Sequence, residues 1–468
     1  MRGTVDFKTL KGIYFLGIGG IGMSALARYF ISMDIPVAGY DQTETKLTKA
    51  LVDEGINVHY DDVIGEIPAM FKDDDSREQT LVIYTPAMPG SSAELGYFKD
   101  GGYQVIKRAE VLGIIASEGV CIGVAGTHGK TTVTSMIAHI MKSADVSSNT
   151  FLGGISVNYG TNHIQHGDGK LVIAEADEYD RSFLFLNPNT AVITSVDADH
   201  LDVYEDVLSM IETYIDFTNN VIDGGIVLLS ESVLKIIGER VNPHAVLMTY
   251  SIEGVTDYIA TGINILGGSY AFDVRTPNGV LKAVTLAMGG RHNIENAVAA
   301  IAVADNHGVS HEEIKNALDL YAGVKRRFEV VHNSGPVIYI DDYAHHPNEI
   351  SSALSSIKEL YPGKKLTVLF QPHLYTRTRD FAEDFGKSLS IADSLLLLDI
   401  YPAREEPIEG ITSELIFDHA QSGDKLLCNK ENAIEMIDFD KTDVLLTLGA
   451  GDIDQLIEPI TEHIKSLN

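Results

Sequence analysis

Short apolar runs recur along the chain, each ending in glycines or acids and each followed by apolar residues at helical spacing. That alternation predicts strands and helices in turn, the pattern of an α/β protein built on parallel sheets. The first strand is predicted over 12–16, followed by a glycine turn over 17–22, a helical run over 23–31 and a second strand over 36–40 that ends at Asp41. Strands follow at 81–84 and 104–106, with a helix over 109–115. A buried strand over 120–125 then runs into Gly126-Thr127-His128-Gly129-Lys130-Thr131-Thr132, and a helical pattern covers 133–141.

Strands at 171–174 and 190–194 both lead into acid-rich loops. Residues 221–285 alternate strands with Gly/Asn/Asp turns and resemble an inserted sheet, and helices are predicted over 293–307 and 311–320. A third strand–helix alternation opens at 336–340 and continues at 366–370, 394–399 and 443–448. The expected organisation is therefore three α/β domains: 1–112 with a dinucleotide-type beginning, 113–328 around the phosphate loop, and 329–468.

Composition narrows the possibilities. At 468 residues the chain exceeds one core and fits roughly two to four domains. A net charge of −31 argues against a broad nucleic-acid surface and against anionic membranes, so an anionic substrate would have to meet local basic clusters such as Lys107-Arg108, Lys325-Arg326-Arg327 and Arg377/Arg379. The two cysteines, Cys121 and Cys428, exclude a disulfide scaffold and read as inert core residues. Glycines at 17, 19, 20 and 22 break the apolar N-terminal stretch, no run of 18 apolar residues occurs, and the expected location is cytoplasmic.

The segment 126–132 carries the strongest chemistry. Strand, glycine loop, lysine, hydroxyl and helix together make a phosphate cradle: N–H groups and the helix start face the anion, Lys130 neutralises it, and Thr131 can ligate Mg²⁺. Its spacing departs from GxxxxGK[ST], because position 124 is Val. Glu175, at the end of the next strand, is a natural Mg²⁺ ligand, while Asp177 and Glu178 fit equally a solvated acidic loop. His200, in a second acidic loop, reads either as a ligand of a second divalent ion or as a surface residue. The turn containing Gly19, Gly20 and Gly22 requires only a pyrophosphate, so NAD, FAD and a UDP-linked sugar all satisfy it; Asp41 is either a ribose-binding acid or a loop cap. Asn293 reads as a helix N-cap with Asn296 one turn on; Arg327, in a basic cluster at a domain junction, reads either as solvated or as a cation for a transferring phosphoryl group; Asp342, His345, His373 and Arg377 sit where open α/β sheets present ligands, and each histidine alone reads as structural.

Taken together, these segments resemble the Mur ligase family of bacterial cell-wall synthesis, in its alanine-adding branch. The match runs through GIGGIGMSALA at 17–27, AGTHGKTT at 125–132, EADE at 175–178, ADHLD at 198–202, GRHNIENAVAA at 290–300, GVKRRFE at 323–329, DDYAHHP at 341–347 and FQPHLYTRT at 370–378. The resemblance implies an N-terminal Rossmann-like UDP-binding domain, a central P-loop ATPase domain with a parallel sheet, and a C-terminal Rossmann-like domain that closes over the amino acid. It implies that ATP phosphorylates the lactoyl carboxylate of UDP-N-acetylmuramate and that L-alanine attacks the acyl phosphate. By the same resemblance Lys130 and Arg327 stabilise the transferring phosphoryl group, Thr131 and Glu175 hold one Mg²⁺, and His200 holds a second. Asn293 and Asn296 lie near adenine, Asp342 and His345 contact ATP, His373 and Arg377 orient alanine, and Gly19, Gly20, Gly22 and Asp41 lie near UDP. Residues 171–234 hold no lysine for the carbamylation that other branches use, and Leu374 stands where some alanine ligases carry a second arginine. The readings kept beside this one are a recycling ligase for preformed peptides, disfavoured by Phe370-Gln371-Pro372-His373 in place of an FEPR-like motif; an NAD(P)-dependent oxidoreductase, which leaves Lys130 unexplained; and a noncatalytic nucleotide-binding regulator, which the intact Lys130, Glu175 and His200 oppose.

Overall fold

A computed structural model describes residues 5–197, 204, 206–403 and 405–467. The chain divides into two compact units: one comprises residues up to 259 with 275–280 and 296–317, and the other comprises 260–274, 281–295 and 318 onward.

The first unit opens with β1 (Gly12–Leu16), α1 (Ile21–Ile31), β2 (Val37–Tyr40), α2 (Lys46–Asp53), β3 (Asn57–His59), β4 (Thr80–Tyr84), α3 (Ala93–Asp100), β5 (Gln104–Lys107) and α4 (Arg108–Ser117). Their strands form one parallel sheet in the order β3-β2-β1-β4-β5. Every residue of β1 is buried, as a strand covered on both faces requires. The order reverses at β1, so the glycine turn after it lies at the switch point where such sheets bind ligands.

A second sheet follows in the same unit, built from β6 (Val120–Ala125), α5 (Lys130–Ser143), β7 (Ser148–Phe151), β8 (His163–His166), β9 (Leu171–Glu175), β10 (Thr190–Ile193), α6 (Val207–Asn219), β11 (Ile226–Ser230), α7 (Glu231–Ile237) and β12 (Val246–Ser251). Its order is β12-β11-β10-β6-β9-β7-β8, and the start of β13 (Tyr258–Leu266) pairs with β12. β6 is thereby flanked by β10 and β9, all parallel, so three strand ends converge around the loop after β6. The region expected to hold only strands and turns also contains α7, whose N-cap Ser230 accepts the N–H of Val233.

In the second unit the rest of β13 neighbours β14 (Ser269–Thr276), which neighbours β15 (Gly279–Leu286). α8 (Arg291–Asn306) and α9 (His311–Asp319) come next in the chain and lie mostly in the first unit; the second unit continues with β16 (Glu329–His332), β17 (Ile338–Asp342), α10 (Pro347–Leu360), β18 (Leu366–Phe370), α11 (Tyr375–Leu389), β19 (Ser394–Leu397), α12 (Glu414–His419), β20 (Asp424–Leu427), α13 (Ala433–Met436), β21 (Val444–Leu448) and α14 (Ile457–Ser466). These last strands form a sheet in the order β16-β17-β21-β18-β19-β20, with only β16 antiparallel to its neighbour. Among the described residues no helix is long and apolar enough to cross a membrane. Cys121 and Cys428 are buried, and burial pushes both thiols up to about 12.

One polar cluster sits inside the first sheet's core. The Tyr14 hydroxyl donates to Glu94 Oε2 at 2.6 Å, and His59 Nε2 lies 2.7 Å from the Tyr14 oxygen and 3.3 Å from Glu94 Oε1. Glu94 has no solvent exposure, and burial pushes its carboxyl up from 4.5 to about 7. The folded protein therefore holds this proton more tightly than the unfolded chain does. The Glu94 contribution to stability falls as pH rises from 4.5 to about 7 and levels off above that, while His59, whose pKa burial lowers, contributes in the opposite sense. We predict that Glu94→Gln, which cannot ionise, flattens this dependence. The gap in its favour should grow by up to about 3 kcal/mol across the window, read as melting temperature against pH; parallel curves for the two proteins would refute the assignment.

Candidate active site

The loop after β6 is held open by glycine and braced by its neighbour strand. Gly126 has φ +136° and Gly129, the N-cap of α5, has φ +83°. A Cβ on Gly126 would lie 2.0 Å from Thr194 Oγ1, and one on Gly129 would lie 2.6 Å from Asn296 Oδ1. From the end of β10, Ser195 accepts the N–H of Thr127 on its carbonyl at 3.1 Å and the N–H of His128 on its hydroxyl at 2.8 Å. Thr194 donates to the carbonyls of Ala125 and His128. Among the described residues the N–H groups at the start of α5, Lys130 to Thr132, carry no side-chain cap and are available to an anion.

Lys130 points back into this loop. Its ammonium donates to the Gly126 carbonyl at 2.6 Å and to Glu178 Oε1 at 2.7 Å. Glu178 is fully buried, and its carbonyl accepts the Tyr204 hydroxyl at 2.6 Å. The Thr131 hydroxyl donates to Glu175 Oε1 at 2.8 Å, while the Gly153 N–H donates to Glu175 Oε2 at 2.7 Å. Burial raises the Glu175 pKa, and the Lys130 charge opposes the shift. Two adjacent hard oxygens, one of them a carboxylate that burial disfavours as an anion, suit a divalent cation such as Mg²⁺. Among the described residues no group of three or more His, Cys, Asp or Glu could hold a metal, and His200 lies outside the described residues.

A cavity of about 310 Å³ runs from the glycine turn to this acid, lined by Gly20, Gly22, Thr85, Arg108, Gly153 and Glu175, among others. Arg108 pairs with Asp177 at 3.1 Å and leans so close to α1 that a Cβ on Gly22 would lie 2.5 Å from its Nη1. Asp41 braces the turn, accepting the Gly19 N–H at 2.7 Å and the Thr43 N–H at 3.1 Å. The first turn of α1 is also fastened from the second sheet. Asn162 donates to the Ile21 carbonyl at 2.6 Å and to Ser24 at 2.9 Å, and accepts from Arg28, which is itself paired with Glu54 at 2.6 Å.

In the second unit, strand ends gather a separate group. Asp342 accepts the N–H groups of Phe328 at 2.6 Å and Ala344 at 2.7 Å, yet burial pushes it up to about 6. The Arg327 guanidinium lies 5.5 Å from the centre of the Tyr343 ring. His345 is kept below its ordinary pKa by burial, 3.6 Å from Glu349, and its ring centre is 6.0 Å from that of His373. Arg377 Nη1 is buried without a protein partner among the described residues. Leu374 ahead of it has φ +71°, an outlier for a branched side chain of the kind that collects at functional loops. Asp341, by contrast, is structural: it is fully buried, takes Arg326 Nε at 3.1 Å and accepts from Thr447.

The first unit thus brings together 126–132, Glu175, Asn296, Gly19, Gly20, Gly22 and Asp41, and the second holds Asn293, Arg327, Asp342, His345, His373 and Arg377. Asn293 is not an N-cap, because α8 begins two residues earlier and its carboxamide donates back to the Gly289 carbonyl at 2.7 Å. Sequence reading missed Gly153, Asn162, Thr194 and Ser195, and it left Glu178 between a metal ligand and a solvated acid. The serine and threonine at the end of β10 were the available signal, since hydroxyls beside a phosphate loop are natural braces.

Three stretches match known domains: residues 12–119 the Mur ligase family, catalytic domain; 124–304 the Mur ligase middle domain; and 326–451 the Mur ligase, glutamate ligase domain. A UDP-N-acetylmuramate–L-alanine ligase of Parabacteroides distasonis is 46% identical over 98% of both chains, and that of Christiangramia forsetii is 45% identical over 98% of this chain and 99% of its own. Among solved structures, the UDP-N-acetylmuramate–alanine ligase of Thermotoga maritima superposes with a TM-score of 0.81 at 27% identity, covering 98% of this chain and 100% of the other. A murein peptide ligase from Psychrobacter arcticus shares the fold, with a TM-score of 0.66 at 22% identity over 97% and 98% of the two chains.

The loop geometry gives a direct prediction. Gly126→Ala should lower stability by roughly 1–3 kcal/mol and weaken nucleotide binding, read by thermal melting and by titration with a non-hydrolysable ATP analogue. Unchanged values in both would show that the loop tolerates a side chain at this φ.

Proposed function

The chain belongs to the Mur ligase family, and we infer that it joins L-alanine to the lactoyl carboxylate of UDP-N-acetylmuramate with ATP as co-substrate, in peptidoglycan precursor synthesis. The observation that carries this is the phosphate loop, with Lys130 turned into it and Thr131 bonded to Glu175, an acid that lines the same cavity as Gly20 and Gly22 of the glycine turn. Family membership removes the oxidoreductase reading, since a hydride-transfer site has no use for a braced lysine loop beside a buried acid.

The chemistry follows from the weakness of a carboxylate as an electrophile. Attack of a lactoyl carboxylate oxygen on the γ-phosphorus releases ADP and turns a poor oxide leaving group into phosphate. The alanine nitrogen then attacks the acyl carbon, and the tetrahedral intermediate expels phosphate as the amide forms. Lys130 and the N–H groups at the start of α5 neutralise charge on the transferring group. Thr131 and Glu175 would hold Mg²⁺, which supplies Lewis-acid stabilisation of the phosphate oxygens when bound; His200 is the proposed ligand of a second ion. In the first domain Gly19, Gly20, Gly22 and Asp41 form the UDP cradle, with pyrophosphate at the start of α1.

Other roles rest on the second group. Arg327 is assigned to the transferring phosphoryl group, Asp342 and His345 to ATP, and Asn293 and Asn296, one turn apart on α8, to adenine. His373 and Arg377 are assigned to alanine, and Arg377 Nη1, buried without a partner among the described residues, supports this because a carboxylate matches the guanidinium geometry. We read the domains as 1–112, 113–328 and 329–468, supported by the three family domains along the chain. Charged, water-soluble substrates support a cytoplasmic location.

The test is phosphate release from ATP, Mg²⁺ and UDP-N-acetylmuramate, comparing L-alanine, glycine, L-serine, a preformed peptide and no acceptor, with mass spectrometry of the sugar product. Alanine-dependent release with the matching amide is expected; release with the peptide alone would convert the reading to a recycling ligase. In the same assay Lys130→Ala should cut turnover at least about 10²–10³-fold while UDP-sugar binding persists. Wild-type turnover in that variant would refute the role of the loop.

A further inference from the structure

Glu178 is not among the residues assigned above, yet it is the side chain that takes hold of the lysine. An ammonium has three N–H donors. On Lys130, one goes to the Gly126 carbonyl at 2.6 Å and one to Glu178 Oε1 at 2.7 Å, and the third has no partner among the described residues. We propose that Glu178 is a positioning residue: together with the Gly126 carbonyl it fixes two donors of the Lys130 ammonium and so aims the third at the phosphoryl group.

The placement of Glu178 supports this role over that of a metal ligand. Glu175 Oε1 and Oε2 take the Thr131 hydroxyl and the Gly153 N–H, whereas Glu178 Oε1 faces the lysine, so the two acids of the EADE segment serve different partners. The backbone that carries this carboxylate is held in place. Its carbonyl accepts the Arg181 N–H at 2.9 Å and the Tyr204 hydroxyl at 2.6 Å, and Asp180 and Arg181 turn the chain sharply with φ of +53° and +54°. A side chain with no solvent exposure, on backbone held this way, has little freedom to follow the ammonium elsewhere. The lysine is thus oriented before nucleotide arrives, which removes a reorganisation step from phosphoryl transfer.

Such a device has a distinctive kinetic signature. Removing the carboxylate leaves the lysine charge in the loop, so ground-state attraction for the nucleotide persists while alignment in the transition state is lost. The signature rests on the ligase reading above. In Glu178→Ala, kcat should fall by about 10- to 100-fold, the range for losing a hydrogen bond to a charged group, with KM for ATP changed less than about threefold. Glu178→Gln retains an acceptor oxygen for Nζ and should recover most of kcat. UDP-N-acetylmuramate affinity should be unchanged in both variants. An unchanged kcat in Glu178→Ala overturns the proposal. So does a loss accompanied by matching falls in melting temperature and UDP-sugar affinity, which would mark a structural residue.

A second measurement separates this proposal from the ligase reading. Affinities for ADP with aluminium fluoride, a mimic of the transferring phosphoryl group, are compared for Lys130→Ala, Glu178→Ala and the double variant. Non-additive effects are expected if Glu178 acts through Lys130, and additive effects overturn the proposal even where no alanine-dependent turnover exists.

Discussion

A lysine ammonium has to be kept nearly dry, charged and aimed in a chain whose net charge is −31. Much of the first unit serves that constraint. The ammonium cannot be left alone in a buried loop, because an unpaired charge there is costly, and on the proposed reading it stays short of full neutralisation so that it can meet phosphate. The solution is a shared hold between one carbonyl and one buried carboxylate, with the helix start supplying further partial positive charge. The loop that carries it is stiffened by Ser195 and Thr194 rather than by the ligand. Strand order supplies the setting, since β6 lies between the two strands whose ends deliver Glu175 and the bracing hydroxyls.

The two cradles of the first unit solve one problem with different parts. Both place glycines after a central strand, where no side chain keeps a ligand from the backbone, and both set a helix N-terminus behind them. At the first, Asp41 holds Gly19, and Arg108 supplies positive charge from the side. At the second, the positive charge is on the loop itself. In each an acid holds the device in shape: Asp41 binds backbone in one, and Glu178 binds a side chain in the other.

The central strands of all three sheets were legible in the sequence because apolar runs covered on both faces leave little ambiguity, whereas β3, β7, β8, β16 and β20, short and rich in polar residues, were not read. The phosphate loop was legible because its glycines, lysine and threonines are contiguous. Local signals failed where partners are remote. Asn293 looks like an N-cap by residue type, but α8 starts at Arg291 and the carboxamide turns back to Gly289. α7 was hidden in a region rich in turn residues, its short length giving periodicity little to register. Glu178 and Asp177 are indistinguishable from solvated acids until the fold of 178–183 is known, because two left-handed residues decide where those side chains go. Asn162 gave no signal at all, since its meaning depends on α1, more than a hundred positions away.

The Asn162 fastening bears on how such a chain could be recombined. Its carboxamide is wholly buried, and its partners are the Ile21 carbonyl, Ser24 and Arg28 of α1. A foreign N-terminal segment grafted at the link between β5 and β6 would have to bring an arginine and a serine at those helix positions, or bury an amide with nothing to bond. The interchangeable module is therefore not the leading sheet by itself but that sheet together with the loop before β8, and a chimera that divides them breaks the protein at a joint no domain boundary marks.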